Sequence, residues 1–300
     1  MPMRITNQMM TNGFMQNLRT NLRNLDTVQR RLSSGKQIGR PSDDPVKLQQ
    51  ILKMDTALNQ REQYIRNIDD ADSWMTATDA ALKQAGDVVI RLQELGTKAL
   101  NGTNDEDAMN AIALEIGQLL EHLGEVSNTV HAGRYIFAGT DTNRQPYTVK
   151  VPTEGPAQID FLGQTQAINY EIGQDIEIKV NSTGLDAFGG TELFDAMEQL
   201  RLGVAQNDSG LMNEAMQRLE NSNQTLLAAR ADVGARMNRL DATKARYQDD
   251  VLNLTTLRAQ AEDADVAQVV MDYKTKEAVY QAALAAGAKI MQPSLLDYLR

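Results

Sequence analysis

The chain is 300 residues long, 42% hydrophobic but only 5% aromatic, with one tryptophan and no cysteine. Its core must draw on Leu, Ile, Val, Met and Ala, the side chains of helix seams. Disulfides, iron–sulfur ligation, thiolate zinc and a thiol nucleophile are excluded.

The net charge of −10 argues against general nucleic-acid binding. No apolar run approaches the roughly 18 residues of a spanning helix, and the start "MPMRITNQMMTNG" lacks the apolar stretch of a secretory signal. The charge is uneven. Residues 1–40 hold seven cations, Arg4, Arg19, Arg23, Arg30, Arg31, Lys36 and Arg40, against one anion, Asp26. Phe14 is the only aromatic there, so an acidic protein face suits this arm better than stacked bases. Neither nucleic acid nor membrane is expected as a partner.

In chain order, Met1, Met3, Met9 and Met10 precede any seam and read as core filler or as an adaptable partner surface. A marginal stripe follows: Phe14, Leu18, Leu22, Leu25, Val28 and Leu32. It breaks at "RRLSSGKQIGRPSDDP", Arg30 to Pro45. Gly35 can take the left-handed conformation that stops a helix. Gly39, Arg40 and Pro41 carry the chain across, and Asp44 as N-cap with Pro45 as first helical residue starts the next helix. Prolines at 2, 41, 45, 146, 152, 156 and 293 leave 46–145 and 157–292 free for helices. Met54, Ala57, Arg61, Tyr64, Ile68, Ala71, Met75, Thr78, Leu82, Ala85, Val89 and Leu92 recur three and four apart. Gly96 and "NGTNDED" are expected to end that stripe. Thr103 and Glu106 read as a capping box opening a second seam: Met109, Ile112, Ile116, Leu119, Leu123, Val126 and Val130.

The period then changes to two. "YTVKV", "QIDF", "AINYEI" and "DIEIKV" predict a small antiparallel β module at about 146–182, inserted at the tip of a helical hairpin. "TELFDAMEQLRLG" is a short helix leading back. Met212, Leu219, Leu226, Val233, Leu240, Tyr247, Leu254 and Ala261 recur every seven residues, a helix of about 75 Å whose narrow stripe must pack on other long helices. A last stripe runs Val266, Val269, Tyr273, Tyr280, Leu284, Ile290. The expected fold is mainly α: an elongated bundle of long antiparallel helices with coiled-coil terminal arms and a small inserted β module. The arms are 1–45 and 262–300, the helical rod 46–145 and 205–261, and the β-rich module with its short helix 146–204.

Candidate chemistry is sparse. Ser33 and Lys36 match S-x-x-K but lack the companion S-D-N and K-T-G elements. "SSGKQ" lacks the glycine and Ser/Thr of a phosphate loop. His122 and His131, the only histidines, are nine apart on an expected helix, on opposite faces, and read as solvated. Asp43 and Asp44 resemble a carboxylate pair, but "SDDP" before a helix favours capping. No catalytic, metal or cofactor site is expected. Arg30, Arg31, Lys36 and Arg40 are placed to meet Glu262, Asp263 and Asp265, in the same or a neighbouring copy. Each terminal stripe is too weak to hold an isolated helix in water, so the two arms are expected to fold by pairing.

Taken together, "RLSSGKQIGRPSDDP", the long heptad helix, "GRYIFAGTDTNRQPY" and "AALAAGAKIMQPSLLDYLR" resemble the flagellin superfamily of bacterial flagellar axial proteins. Flagellin itself usually has Ala-rich residues where this chain has Pro41 and Pro45. "PSDDP", "YIFAGT", "SLLDYL" and the short insert are more similar to the members that join hook to filament. The resemblance implies a structural subunit, extracellular, exported unfolded by the flagellar type III apparatus without a cleaved signal, and assembled under a cap protein. Its arms would be disordered when free and a coiled coil once assembled. Implied partners are the first hook-associated protein, flagellin, further copies of itself, and an export chaperone near the C-terminus. A short flagellin that forms the filament is the alternative, and a helical-bundle enzyme or sensor the remote one. The assembly residues would be Leu18, Leu25, Leu32, Val266, Tyr273, Tyr280 and Leu284, with the charges above, hinged and capped by Gly35, Gly39, Pro41, Asp44 and Pro45.

Overall fold

The computed structural model describes residues 7–101, 105–152 and 155–290. Met1, Met3, Thr103, the side chain of Ile290 and the ending from Met291 lie outside the described residues. Helices α1 (Asn7–Ser34), α2 (Pro45–Leu100) and α3 (Glu106–Ser127) come first. Short strands β1 (Val130–His131), β2 (Arg134–Tyr135), β3 (Tyr147–Lys150), β4 (Gln158–Phe161), β5 (Asn169–Gly173) and β6 (Ile176–Lys179) follow. Helices α4 (Gly184–Phe188), α5 (Glu192–Ala205), α6 (Ser209–Glu262) and α7 (Val266–Ile290) complete the chain. The fold is mainly α, and it divides into two compact units: Met1–Gln60 with Asp250–Arg300, and Arg61–Asp249.

In the unit Arg61–Asp249 the helical periodicity becomes a packed seam. Ala71, Met75, Leu82, Ala85, Val89 and Leu92 of α2 are fully buried. They share one core with Ile116, Leu120 and Leu123 of α3 and Leu219, Leu226 and Val233 of α6. Each large apolar side chain so buried stabilises the unit by about 1.5–3 kcal/mol. Three local expectations change. Gly96 does not end a stripe: it is buried inside α2, with Met216 packed over it. The described N-cap of α3 is Asp105, whose carboxylate accepts the Ala108 N–H at 2.9 Å. The α3 seam uses Leu120 in full and Leu119 only in part, and it stops at Val126, because Val130 has left the helix and is exposed in β1.

The four alternating runs form β3–β6, as antiparallel pairs β3–β4 and β5–β6. A further hairpin, β1–β2, escaped the sequence pattern because its strands are two residues long and meet at Ala132 and Gly133, both with positive φ. His131 therefore lies on this hairpin and not on a helix; it sits half-buried, edge-on to Trp74. His122 stays exposed beside Glu125. Nor does the β module stand at a tip. The Tyr247 hydroxyl donates to the Ile172 carbonyl at 2.8 Å, and Asn67 Nδ2 donates to that of Glu171 at 2.7 Å, which lays β5 along α2 and α6.

The scarce aromatics are concentrated here. Tyr147 touches Phe161, Phe188 and Phe194, with ring centroids 4.9–5.8 Å apart, and Phe137 meets Phe188 at 5.0 Å. Such pairs contribute about 0.5–1.5 kcal/mol beyond burial. The Tyr147 hydroxyl lies 3.1 and 3.0 Å from the carbonyls of Gly184 and Gly190, and burial pushes its ionisation up.

Candidate assembly interface

In the unit formed by both chain ends, α1 stops where the sequence says it should. The Arg31 carbonyl accepts the Gly35 N–H at 2.9 Å, and Gly35 takes φ +70°, a conformation a Cβ would strain. The loop is then sewn to the link between α6 and α7. Gly35 O accepts from Ala264 N at 2.9 Å, Glu262 O accepts from Gln37 N at 2.7 Å, and Lys36 and Asp263 form an antiparallel bridge. Ile38 is buried beneath it. Beyond, Asp43 N donates to Arg40 O at 3.0 Å, closing a turn with Pro41 at its second position. The Asp43 carboxylate accepts from Gly39 N and Arg40 N. The Gly39 N–H holds that carboxyl below its ordinary value against some desolvation, aided by the Arg40 N–H and the charges of Arg31 and Arg30. Asp44 Oδ1 accepts from Val46 N and Lys47 N at 3.1 and 3.0 Å, with Pro45 opening α2. The two aspartates are thus a turn staple and a helix cap. Ser33 donates its hydroxyl to Gln29 O, one turn back.

The expected charge meeting is partial. Lys36 pairs with Glu262, whose other oxygen lies 3.7 Å from Arg258 Nε, and Arg258 Nη1 donates to Asp55 at 3.0 Å. That hydrogen bond to Asp55 holds the Arg258 proton more tightly than usual. Asp55 and Arg258 were missed, although the i,i+4 spacing of Arg258 and Glu262 was visible. Within one chain Arg30 pairs instead with Asp26, one turn away, at 3.0 Å. Asp263 meets Lys36 through its backbone. Asp265 caps α7, accepting from Ala267 N and Gln268 N at 2.9 and 3.2 Å.

The arms run antiparallel, Phe14 meeting Gly287 at one end and Lys36 meeting Asp263 at the other. Phe14, Leu18, Leu25 and Val28 of α1 and Val269, Tyr273 and Tyr280 of α7 are buried or half-buried. Leu22 and Leu32 face out, because the inward positions after Leu18 are Asn21 and Leu25, a 3-4 step in place of the expected 4-3. Val266 and Leu284 face out too. With Met10, Met15, Val270, Met271 and Val279 they form an exposed apolar population on the pair. Among the described residues α1 buries only Val28 fully and α7 only Val269 as large apolar side chains.

Both arms fall inside matched family regions. Residues 5–142 match the bacterial flagellin N-terminal helical region and residues 216–299 the bacterial flagellin C-terminal helical region. The chain belongs to the bacterial flagellin family. This flagellin-family chain is 24% identical to flagellar hook-associated protein 3 of Escherichia coli K12, over 98% of its own length and 99% of that protein. It is 24% identical to the flagellar filament 41 kDa core protein of Borreliella burgdorferi, over 91% of its length and 92% of that protein. Its fold matches that of a putative flagellar hook-associated protein from Vibrio parahaemolyticus with a TM-score of 0.66 at 16% identity, covering 74% of this chain and all of the other. The flagellin family places the chain among structural components of the bacterial flagellum.

Proposed function

We propose that the chain is a structural subunit of the junction between flagellar hook and filament. The observation that carries this reading is the similarity to hook-associated protein 3 of Escherichia coli over 98% of this chain and 99% of that protein. The arms supply a physical reason. Fixing a residue costs about 1–2 kcal/mol in conformational entropy, and a helix such as α1 or α7 that buries one large apolar side chain, Val28 or Val269, offsets little of it. The pair melts readily in the free chain and is completed when neighbours cover Leu22, Leu32, Val270 and Leu284. In this reading the arms are residues 1–45 and 262–300. The junction neighbours are the first hook-associated protein and flagellin, with further copies of this chain in a ring. Export is unfolded, by the flagellar type III route, with a chaperone on the C-terminal arm.

The similarity to the flagellar filament 41 kDa core protein of Borreliella burgdorferi over 91% of the chain favours a second reading, a flagellin that builds the filament. Gold-labelled antibody on intact flagella separates the two. A narrow band between hook and filament supports the junction; label along the whole filament overturns it.

A further inference from the structure

Between the end of α1 and the Gly39–Asp43 turn lies a cavity of about 360 Å³. Its wall carries Arg30, Arg31, Lys36 and Arg40 against the single carboxylate of Asp43. Two of the cations are already neutralised, Arg30 by Asp26 and Lys36 by Glu262. The other two are not: Arg31 Nε is buried and meets no acceptor, and Arg40 pairs with no carboxylate, among the described residues. Asp43, on which the Arg31 charge already acts, brings one negative charge against their two, and its Oδ2 accepts from the Gly39 and Arg40 N–H groups.

We propose that this cavity receives an acidic segment of a second copy of the chain, whose carboxylates pair with Arg31 and Arg40. The planar guanidinium fork matches a carboxylate in bidentate fashion. A buried, unmatched guanidinium nitrogen costs free energy until such an acceptor arrives. The chain's own charge distribution names the source. Residues 1–40 hold seven cations and one anion, yet the whole chain carries −10, so any second copy presents a strongly acidic body to this basic loop. Position also favours a copy. Leu32, on the exposed apolar side of α1, stands between Arg31 and Ser33, both on the cavity wall. A neighbour that covers Leu32 lies beside the cavity. The inference rests on the assembly reading above and adds the chemistry of one contact within it.

Two measurements test it. In the first, Arg40→Lys puts an amine on the cavity wall, and a mixture of ¹⁴N- and ¹⁵N-labelled full-length chains is treated, after assembly, with a zero-length carbodiimide. Lys36 coupling to Glu262 of its own chain is the internal control. Mixed-isotope peptides joining position 40 to an Asp or Glu of the other copy are expected; coupling of position 40 within its own chain alone overturns the proposal. The second measurement needs no assembly. A hexaglutamate peptide is titrated by calorimetry into the free full-length chain, and Arg31→Gln with Arg40→Gln is expected to weaken it at least tenfold while the melting temperature holds. Equal binding by the variant, or displacement by inorganic phosphate at matched ionic strength as effective as by the peptide, overturns it, the latter assigning the cavity to a free anion. Antibody label absent from the junction, with arginine-dependent peptide binding intact, sinks the junction reading and leaves the acidic receptor standing.

Discussion

The ring of Phe14 lies so close over Gly287 that a Cβ on that glycine would stand 2.1 Å from Phe14 Cζ. A glycine here costs helix propensity of about 1 kcal/mol relative to alanine, and what it permits is the close approach of the two arms. Gly287→Val is therefore expected to weaken the α1–α7 pair by about 1–3 kcal/mol. The unit Arg61–Asp249 should be untouched. Hydrogen exchange checks this: amides of 7–34 and 266–288 should exchange faster, those of α3 should not, and adding Phe14→Ala should restore part of the loss.

The Lys36–Glu262–Arg258–Asp55 chain of charges lends itself to a swap. Lys36 is half exposed but Glu262 only 12% exposed, so Lys36→Glu with Arg31→Glu strands a largely buried carboxylate and should lower the stability of the α1–α7 unit by about 1–3 kcal/mol. Repeated around an assembled ring, the same reversals should weaken assembly, increasingly so at low salt. Sequence spacing nominates Asp263 for a compensating lysine. The structure nominates Glu262 instead, because Asp263 meets Lys36 only through the main chain. Sedimentation of assembled material should show rescue by Glu262→Lys and none by Asp263→Lys; the opposite order would discard the network.

Asp265 offers a cleaner separation of cap from charge. Its carboxylate accepts two N–H groups at the start of α7, and Asp265→Ala should cost about 1 kcal/mol, confined to that helix. Asp265→Asn keeps an acceptor oxygen and should cost less. If Asp265 acted through its charge on the basic loop, Asn and Ala would be equally damaging to assembly.

What was legible in the sequence was whatever repeats. The α2 stripe from Ile68 to Leu92 and the heptads from Met212 to Tyr247 are the buried faces seen in the structure, since a 3.5-residue rhythm survives in any long seam. Met54, Ala57, Arg61 and Tyr64, by contrast, are only half-buried, and Ile51 and Leu58 are the buried side chains near the start of α2. The loop caps were legible too, because Gly35, Asp44 and Pro45 act through their own backbone and nearest neighbours. What failed depended on contacts far apart in sequence. Leu22, Leu32, Val266 and Leu284 are apolar at acceptable spacing, and only the register of α1 on α7 decides that they face out. Asp55 and Arg258 are separated by 203 residues. By sequence, its alternating strands place the β module at the tip of a helical hairpin, a position outside the helical core. Yet Tyr147, Ile172, Ile178 and Phe188 belong to the same core as the α2 and α3 seams, so replacing 146–190 by a Gly/Ser linker should unfold the unit Arg61–Asp249 cooperatively.

Acid should reveal Asp186. It is part of the capping box of α4 with Thr183, and Lys179 Nζ donates to it at 2.7 Å. Burial tends to raise its ionisation, but the Lys179 ammonium and the Thr183 N–H outweigh that, and the carboxyl lies below its ordinary 3.8. A carboxyl whose folded-state value is depressed contributes stability that is present above its unfolded value and lost as pH falls through the folded one. Wild type should therefore lose stability relative to Asp186→Asn as pH drops from about 5 to about 2. Melting curves in that window should converge at the acid end. A gap between them that is independent of pH would mean that the carboxylate acts by shape alone.

The last prediction concerns Glu198 and Arg201 on α5, a pair with side-chain exposures of 10% and 12% that ties down the turn before β4. Glu198 accepts the Ala157 N–H at 2.8 Å, and Arg201 donates to the Gly155 carbonyl at 2.7 Å while it holds both oxygens of Glu198. The hydrogen bonds that Arg201 donates to Glu198 hold the arginine proton more tightly than usual. Removing one partner strands the other: Glu198→Ala leaves a largely buried guanidinium and an unmatched N–H, a loss of about 3 kcal/mol. Removing both charges together leaves no buried ion, so Glu198→Met with Arg201→Met should cost much less than Glu198→Ala. Urea unfolding followed through Trp74 would measure both. Comparable losses in the single and double variants would mean that the pair stabilises the unit by its charge, not merely by each ion relieving the other.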